Sequence, residues 1–216
     1  MGQKVNPKSM RLKINESWKS TWFEKKNYAS QLISDIKLRT KLEKNLKTAA
    51  VTDIIIGRDA NMISVSIYSA RPGVIIGRGG AGSEKIKELV EKETGSKARI
   101  NIIEVKRPET NASFIAQNIA FQLEKRMPFR RAMKQAAEKA KESGVKGIKI
   151  QISGRLNGAD IARSEKVSNG TVPLSTFRSG VDYAYVTALT TFGIIGIKVW
   201  VYNGDKEMVY PDQSKK

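Results

Sequence analysis

The 216-residue sequence contains no cysteine and no histidine. The first absence excludes disulfides and thiol nucleophiles, and the second removes imidazole, so no Cys- or His-based catalytic triad can be assembled. Zinc held by sulfur or imidazole is excluded with them, and no clustering of carboxylates in the sequence suggests a magnesium site. Lysine and carboxylate catalysis are all that is left to an enzyme, the phosphate-loop pattern GxxxxGK[ST] is missing, and no cofactor or small-molecule substrate is expected. No apolar run approaches the roughly 18 residues needed to span a bilayer, and the opening MGQKVNPKSMRLKI lacks the apolar core of a secretory signal. A cytoplasmic protein without membrane contact is expected. The initial Met-Gly falls short of a myristoylation signal, because Asn6 stands where that motif requires serine or threonine.

Negative charge is also scarce. Against 39 lysines and arginines the chain sets only 21 acids, leaving a formal charge of +18. Solubility needs far less, and self-repulsion on this scale opposes compaction unless a polyanion neutralises it. With 40% hydrophobic residues, the chain has enough apolar content for one large core or two small ones.

Two halves are legible. Residues 1–26 carry seven basic side chains against Glu16 and Glu24, and no steady period precedes Trp18, Trp22 and Phe23. This stretch reads as a basic arm, with Lys4, Lys8, Arg11 and Lys13 available to a partner's phosphates. Leu32, Ile33, Ile36, Leu42 and Leu46 recur at helical steps from Tyr28. VTDIIIG and MISVSIY then read as an antiparallel hairpin turning at RDAN. Pro72 starts a short helical turn, Ser83 and Glu84 cap and charge a second helix, Gly95 ends it, and ARINIIEV closes the unit as a strand. KRPETN at 106–111 reads as a linker. Beyond it, Ile115, Ile119, Leu123 and Met127 mark one helix, and Pro128 to Gly144 hold another. Strands are expected at Ile148–Ile152 and around 161–168, 181–190 and 194–202, with SNGT as a turn. The expectation is an α+β chain whose second half lays two helices on a four-stranded, largely antiparallel sheet.

The segment RPGVIIGRGGAGSEKIKEL raises the question of a phosphate. Gly77, Gly79 and Gly82 satisfy the dinucleotide pattern GxGxxG, while Gly77, Arg78, Gly79 and Gly80 satisfy the GxxG of KH modules, which bind single-stranded RNA. A dinucleotide site requires a buried parallel strand before the glycines and an acid after the next strand, a role open to Glu104. Only Val74, Ile75 and Ile76 are left for that strand, and the upstream hairpin makes an antiparallel sheet, so this reading is disfavoured. The KH reading requires only two short helices meeting at a loop without side-chain bulk, where a nucleic-acid backbone can lie against free amides under Arg78. Glycines that merely permit a tight turn are the plainer explanation, and the charge of the chain argues against it.

A second basic group lies in PFRRAMKQAAEKAKESG. At about 100° per residue, Phe129, Met133, Ala136, Ala137 and Ala140 form an apolar stripe, and Arg130, Arg131, Lys134 and Lys141 fall beside it. Arg126 stands just before the break. A charged helix face is usually only solvated, and Glu138 is placed to balance Lys134 in part, but forked guanidinium donors suit phosphate.

With MGQKVNP, STWF, ARPGVIIGRGG, FRRAMK, SGRLNGADIAR and TTFGIIGIKVW in this order, the chain resembles the bacterial small-subunit ribosomal protein S-three family along nearly its whole length. The resemblance implies an arm and helix start at 1–37, a type II KH domain with helices on a three-stranded sheet at 38–107, a C-terminal α+β domain at 108–210 and a polar tail at 211–216. It also implies a non-enzymatic structural protein that binds ribosomal RNA in the head of the small subunit beside proteins S-ten and S-fourteen. In that family the arginine-rich helix lines the channel by which messenger RNA enters and contributes to its unwinding, a role that falls here on Arg126, Arg130, Arg131 and Lys134. Relatives often carry a second basic residue where this loop has Gly79. A free KH regulator of scattered transcripts is the alternative, disfavoured because a small single-strand site does not need basic residues spread over the arm and both halves.

Overall fold

A computed structural model describes residues 4–59 and 62–206 and divides the chain into two compact units, Trp18–Lys106 and, together, Met1–Ser17 with Arg107–Lys216. The polar tail at 211–216 and Ala60 and Asn61 of the RDAN turn lie outside the described residues.

In the unit Trp18–Lys106, helix α2 (Tyr28–Asn45), strand β2 (Val51–Arg58), strand β3 (Met62–Ser69), helix α3 (Pro72–Ile76), helix α4 (Ala81–Thr94) and strand β4 (Lys97–Glu104) follow one another. β2 and β3 pair antiparallel, with Ile54 opposite Ile67 and Ile56 opposite Val65, and β4 joins β3 in parallel. A parallel crossover needs a covering helix, and α3 and α4 supply it. Ile54, Ile56, Ile63, Val65 and Ile67 form the core with Leu38 and Leu42 of α2, Ile75 of α3, and Ile86 and Val90 of α4. The alternating serines of β3 face away, as the period of two demands. Besides the three expected strands, the two-residue strand β1 (Ser20–Thr21) pairs in parallel with β2 at Ile56 and Gly57. Asp35 is 2% exposed and fixes this corner: it accepts from Trp22 Nε1 at 2.7 Å and from Arg58 Nε at 2.8 Å.

The other unit places helix α5 (Ala112–Glu124) and helix α6 (Phe129–Glu142) against a wholly antiparallel sheet. Strands β5 (Gly147–Gly154), β6 (Arg163–Gly170), β7 (Ser179–Thr190) and β8 (Gly193–Asp205) take the order β6-β5-β8-β7. Asn111 caps α5, accepting from Ser113 N at 2.9 Å. Ile115, Ile119 and Leu123 of α5 and Phe129, Met133, Ala137 and Ala140 of α6 are buried against Ile148, Ile150, Ile152, Ile197 and Val199 of the sheet. The alanines among them let the helices lie close, so each side chain beyond Cβ is reserved for filling space. SNGT is not a turn. Ser168, Asn169 and Gly170 continue β6 and pair with Lys149, Ile148 and Gly147, because β5 supplies a full row of ladder partners.

Residues 4–17 fold onto the C-terminal unit, and this corrects the reading of a basic arm awaiting a partner. Helix α1 (Pro7–Arg11) starts with Asn6 accepting from Lys8 N at 3.0 Å and with Pro7 at its first position. Arg11 is fully buried. Its guanidinium donates to the carbonyls of Ser179 (2.8 Å), Pro7 (3.0 Å), Thr176 (2.9 Å), Leu174 (3.1 Å) and Pro173 (3.3 Å). Five carbonyl oxygens replace the water that a buried cation loses.

Candidate nucleic-acid interface

Three consecutive structural demands shape the glycine loop. α3 ends at Gly77 (φ 69°), a short 3-10 turn spans Arg78–Gly80, and α4 begins immediately after. Gly79 (φ 62°) and Gly80 (φ 85°) also lie in the left-handed region, where glycine escapes the cost of about 1–2 kcal/mol that a Cβ would bring. The helical state of Val74–Ile76 and the antiparallel pairing of β2 with β3 remove the strand and crevice that a dinucleotide would need. Gly82 serves packing instead: a Cβ there would stand 2.3 Å from the Ile75 carbonyl oxygen, so α3 and α4 meet at this angle only with glycine.

Ser83 does not cap α4. Its hydroxyl donates to the Gly80 carbonyl at 2.6 Å, and Gly80 occupies the cap without a side-chain acceptor. The start of α4 therefore has no side-chain cap; the Ala81 amide donates to the Arg78 carbonyl, and the positive end of the helix lies beside the exposed Arg78. From this end a groove runs between α4 and β4, lined by Ser83, Lys87, Glu91, Lys97, Arg99 and Ile100. Its lining combines the cations Lys87, Lys97 and Arg99 and the apolar Ile100 with the acids Glu84 and Glu91, and cations beside an apolar side chain suit a strand of unpaired nucleotides.

Of the α6 group, the structure brings Arg130, Arg131 and Lys134 together, without Lys141. Arg130, Arg131 and Lys134 are exposed and line one shallow groove with Gln135 and Glu138, on the side opposite the buried Phe129, Met133 and Ala137. Arg126 is exposed in the connection before α6, with φ 61°. The acid that meets this group is Glu165 of β6, which accepts from Arg130 Nε and Nη2 at 3.2 Å each. It was missed because sequence spacing shows neighbours along a helix and not across a sheet edge. The hydrogen bond from Arg130 holds the Glu165 carboxyl below its ordinary range and raises the guanidinium in return.

The four arm residues do not make a cationic surface together. Arg11 is spent on carbonyls, Lys8 pairs with Asp182 at 2.8 Å, and Lys4 lies 4.6 Å from the Trp200 ring centre. Lys13 is exposed at a turn with φ 67°. Asn6-Pro7, a helix start written in the sequence, was the available signal that this segment folds. Among the described residues no three acidic side chains gather as a metal ion would need, and no helix is long and apolar enough to cross a membrane.

Comparison with known proteins agrees with this geometry. The family model for the KH domain matches residues 37–110, and that for "Ribosomal protein S3, C-terminal domain" matches residues 119–201. The small ribosomal subunit protein uS3 of Desulforamulus reducens is 50% identical over 216 residues, covering 100% of this chain and 96% of that protein. That of Thermodesulfovibrio yellowstonii is 51% identical over 205 residues and 95% of each chain, and that of Bacillus anthracis 49% identical over 215 residues, 100% of this chain and 97% of its own. Identity of this extent along the full length leaves one conclusion: the chain belongs to the uS3 family of small ribosomal subunit proteins, a structural and non-enzymatic family.

Proposed function

We propose that this chain is a structural constituent of the small ribosomal subunit that binds ribosomal RNA in the subunit head, beside proteins S-ten and S-fourteen, and lines the channel by which messenger RNA enters. The observation that carries the reading is the α6 surface, where Arg130, Arg131 and Lys134 line one groove while the opposite face of the helix is locked in the core. Cations on a rigid element hold phosphates without the cost of ordering the backbone, so strands that part in front of them are kept apart. Duplex opening is biased electrostatically, with no nucleotide hydrolysed by this chain. The GxxG loop and the α4–β4 groove supply a second place for an unpaired strand, with Gly77, Gly79 and Gly80 admitting the backbone and Arg78 covering it.

The test is sedimentation followed by translation of a hairpin-containing message. Tagged chain is expected to co-sediment with small subunits, and subunits carrying Arg131→Ala and Lys134→Ala are expected to stall at the hairpin while reading unstructured message normally. Tagged chain absent from small subunits, or equal passage through the hairpin, overturns the reading.

A further inference from the structure

The sheet of the C-terminal unit has two faces, and the helices cover one. On the other, the strand register assembles lysines from three strands. Gln151 of β5 stands opposite both Lys166 of β6 and Lys198 of β8, and Lys149, two residues along β5, stands opposite Trp200. Two strand spacings, about 10 Å, therefore separate Lys166 from Lys198. Lys4 reaches the same face, its Nζ 4.6 Å from the Trp200 ring centre, where Lys149 Nζ approaches at 5.6 Å. Tyr185 of β7 lies opposite Lys198, 56% exposed. Hydroxyls complete the face, with Ser153 and Ser164 joined at 2.8 Å.

We propose that this outward sheet face is a further RNA-binding surface, on which Lys4, Lys149, Lys166 and Lys198 hold ribose-phosphate and Tyr185 offers its ring to a base. Among the described residues, none of the four lysines makes an ion pair with a carboxylate. Burial, and after it the amines of Lys149, Lys166 and Lys198, lower the pKa of the Lys4 ammonium, a repulsion that a polyanion relieves. An acidic peptide is the poorer fit: extended peptides add to a sheet's edge through main-chain bonds, whereas amines, hydroxyls and a ring presented on a flat face match phosphate, ribose and base.

The inference rests on the ribosomal reading, and the experiment separates the two. The full-length chain, its Lys149→Gln/Lys166→Gln/Lys198→Gln variant, the matching Lys→Arg variant and an Arg131→Ala/Lys134→Ala variant are titrated with small-subunit ribosomal RNA and with a short oligouridylate over a range of KCl. The Gln variant is expected to lose about tenfold in affinity and about 2 in the slope of log K against log salt, as for three lost phosphate contacts. The Arg variant is expected to keep both, which removes misfolding as the cause. Gln and wild-type chains with equal affinity and slope overturn this inference, and leave the proposed function standing if the α6 variant is impaired. A wild-type chain that binds neither RNA overturns both.

Acylation of lysines by an N-hydroxysuccinimide ester, read by mass spectrometry, needs no substitution and distinguishes the source of the RNA. Protection of Lys149, Lys166 and Lys198 in small subunits without message supports ribosomal RNA, and protection only after message is added supports messenger RNA. Full reactivity in both states overturns the proposal, as does protection conferred by other subunit proteins without RNA.

Discussion

Arg130 and Glu165 face each other as a two-pronged ion pair from α6 to β6, and Arg163 donates to the same carboxylate at 3.3 Å. One of the three cations of the α6 groove therefore already has an anion. Removing the Glu165 charge leaves Arg130 free to pair with a phosphate. Glu165→Gln is expected to strengthen RNA binding by about two- to fivefold near physiological salt, with the gain disappearing toward 1 M, where the screening length falls to about 3 Å. Anisotropy titrations at several salt concentrations check this, and weaker binding by the variant would mean that the pair orients Arg130 for its contact.

Among the three cations a ranking follows. For Arg131 and Lys134 no ion pair exists among the described residues. Arg131→Ala is expected to cost more RNA affinity than Arg130→Ala, by about threefold, because the Arg130 guanidinium is already held by Glu165, a carboxylate that Arg163 still partners when Arg130 is truncated. Filter binding of both single variants in the Glu165→Gln background is the check: there the two losses are expected to become equal.

The glycine loop depends on a residue outside GxxG. Gly82→Ala brings a methyl group to 2.3 Å from the Ile75 carbonyl oxygen and 2.9 Å from that of Ile76, both backbone atoms that cannot swing aside. The variant is expected to lose about 1–3 kcal/mol of stability and to bind single-stranded RNA more weakly, as α3 is pushed off α4. Gly79→Ala, where a Cβ meets nothing within 4 Å, is expected to cost only the left-handed backbone penalty. Urea melts of the two variants distinguish a packing glycine from a turn glycine.

Periodicity made most of the fold legible. Val65 and Ile67 alternating with serines marked β3, the stripe from Phe129 to Ala140 marked α6, and their inward faces are those that the structure buries. The α6 cations were legible for the same reason, since a face of a helix follows from spacing alone. What could not be read were contacts made across long separations. Nothing near Arg11 shows that carbonyls from 173 to 179 will surround it, and nothing near Lys198 shows that β5 and β6 will bring Lys149 and Lys166 alongside. Charge in a sequence reports how many cations there are, and topology decides which are spent on the fold and which remain for a ligand.

Arg11 tests that distinction. Arg11→Ala leaves the carbonyls of Ser179, Thr176, Leu174 and Pro173 without their donor and is expected to destabilise the chain by about 3 kcal/mol. Residues 4–17 should then become open to proteolysis. Arg11→Lys is not expected to rescue the loss, because one ammonium cannot reach acceptors spread around a planar fork. Limited proteolysis with mass mapping, alongside thermal melts, reads both effects. An RNA-affinity loss without a stability loss would instead return Arg11 to the role of a phosphate ligand.

Glu16, in the same segment, gives the fold a pH dependence of definite sign. Burial raises its carboxyl pKa, Lys8 and Lys206 lower it, Asp182 raises it again and Arg11 lowers it, and the net direction is upward. The folded chain therefore holds this proton more tightly than the unfolded chain does. Stability from Glu16 is fully present below the unfolded carboxyl value and is lost as pH rises through the elevated folded value. Above that window the charged carboxylate is a constant cost. Glu16→Gln, which keeps the shape and drops the charge, is expected to raise the melting midpoint at pH 7 and to leave it unchanged at about pH 3, where the wild-type group is protonated in both states. Paired melts across pH 3 to 8 measure the difference. A variant that melts lower at neutral pH would show that the attraction of Lys8, Lys206 and Arg11 for the carboxylate outweighs its burial.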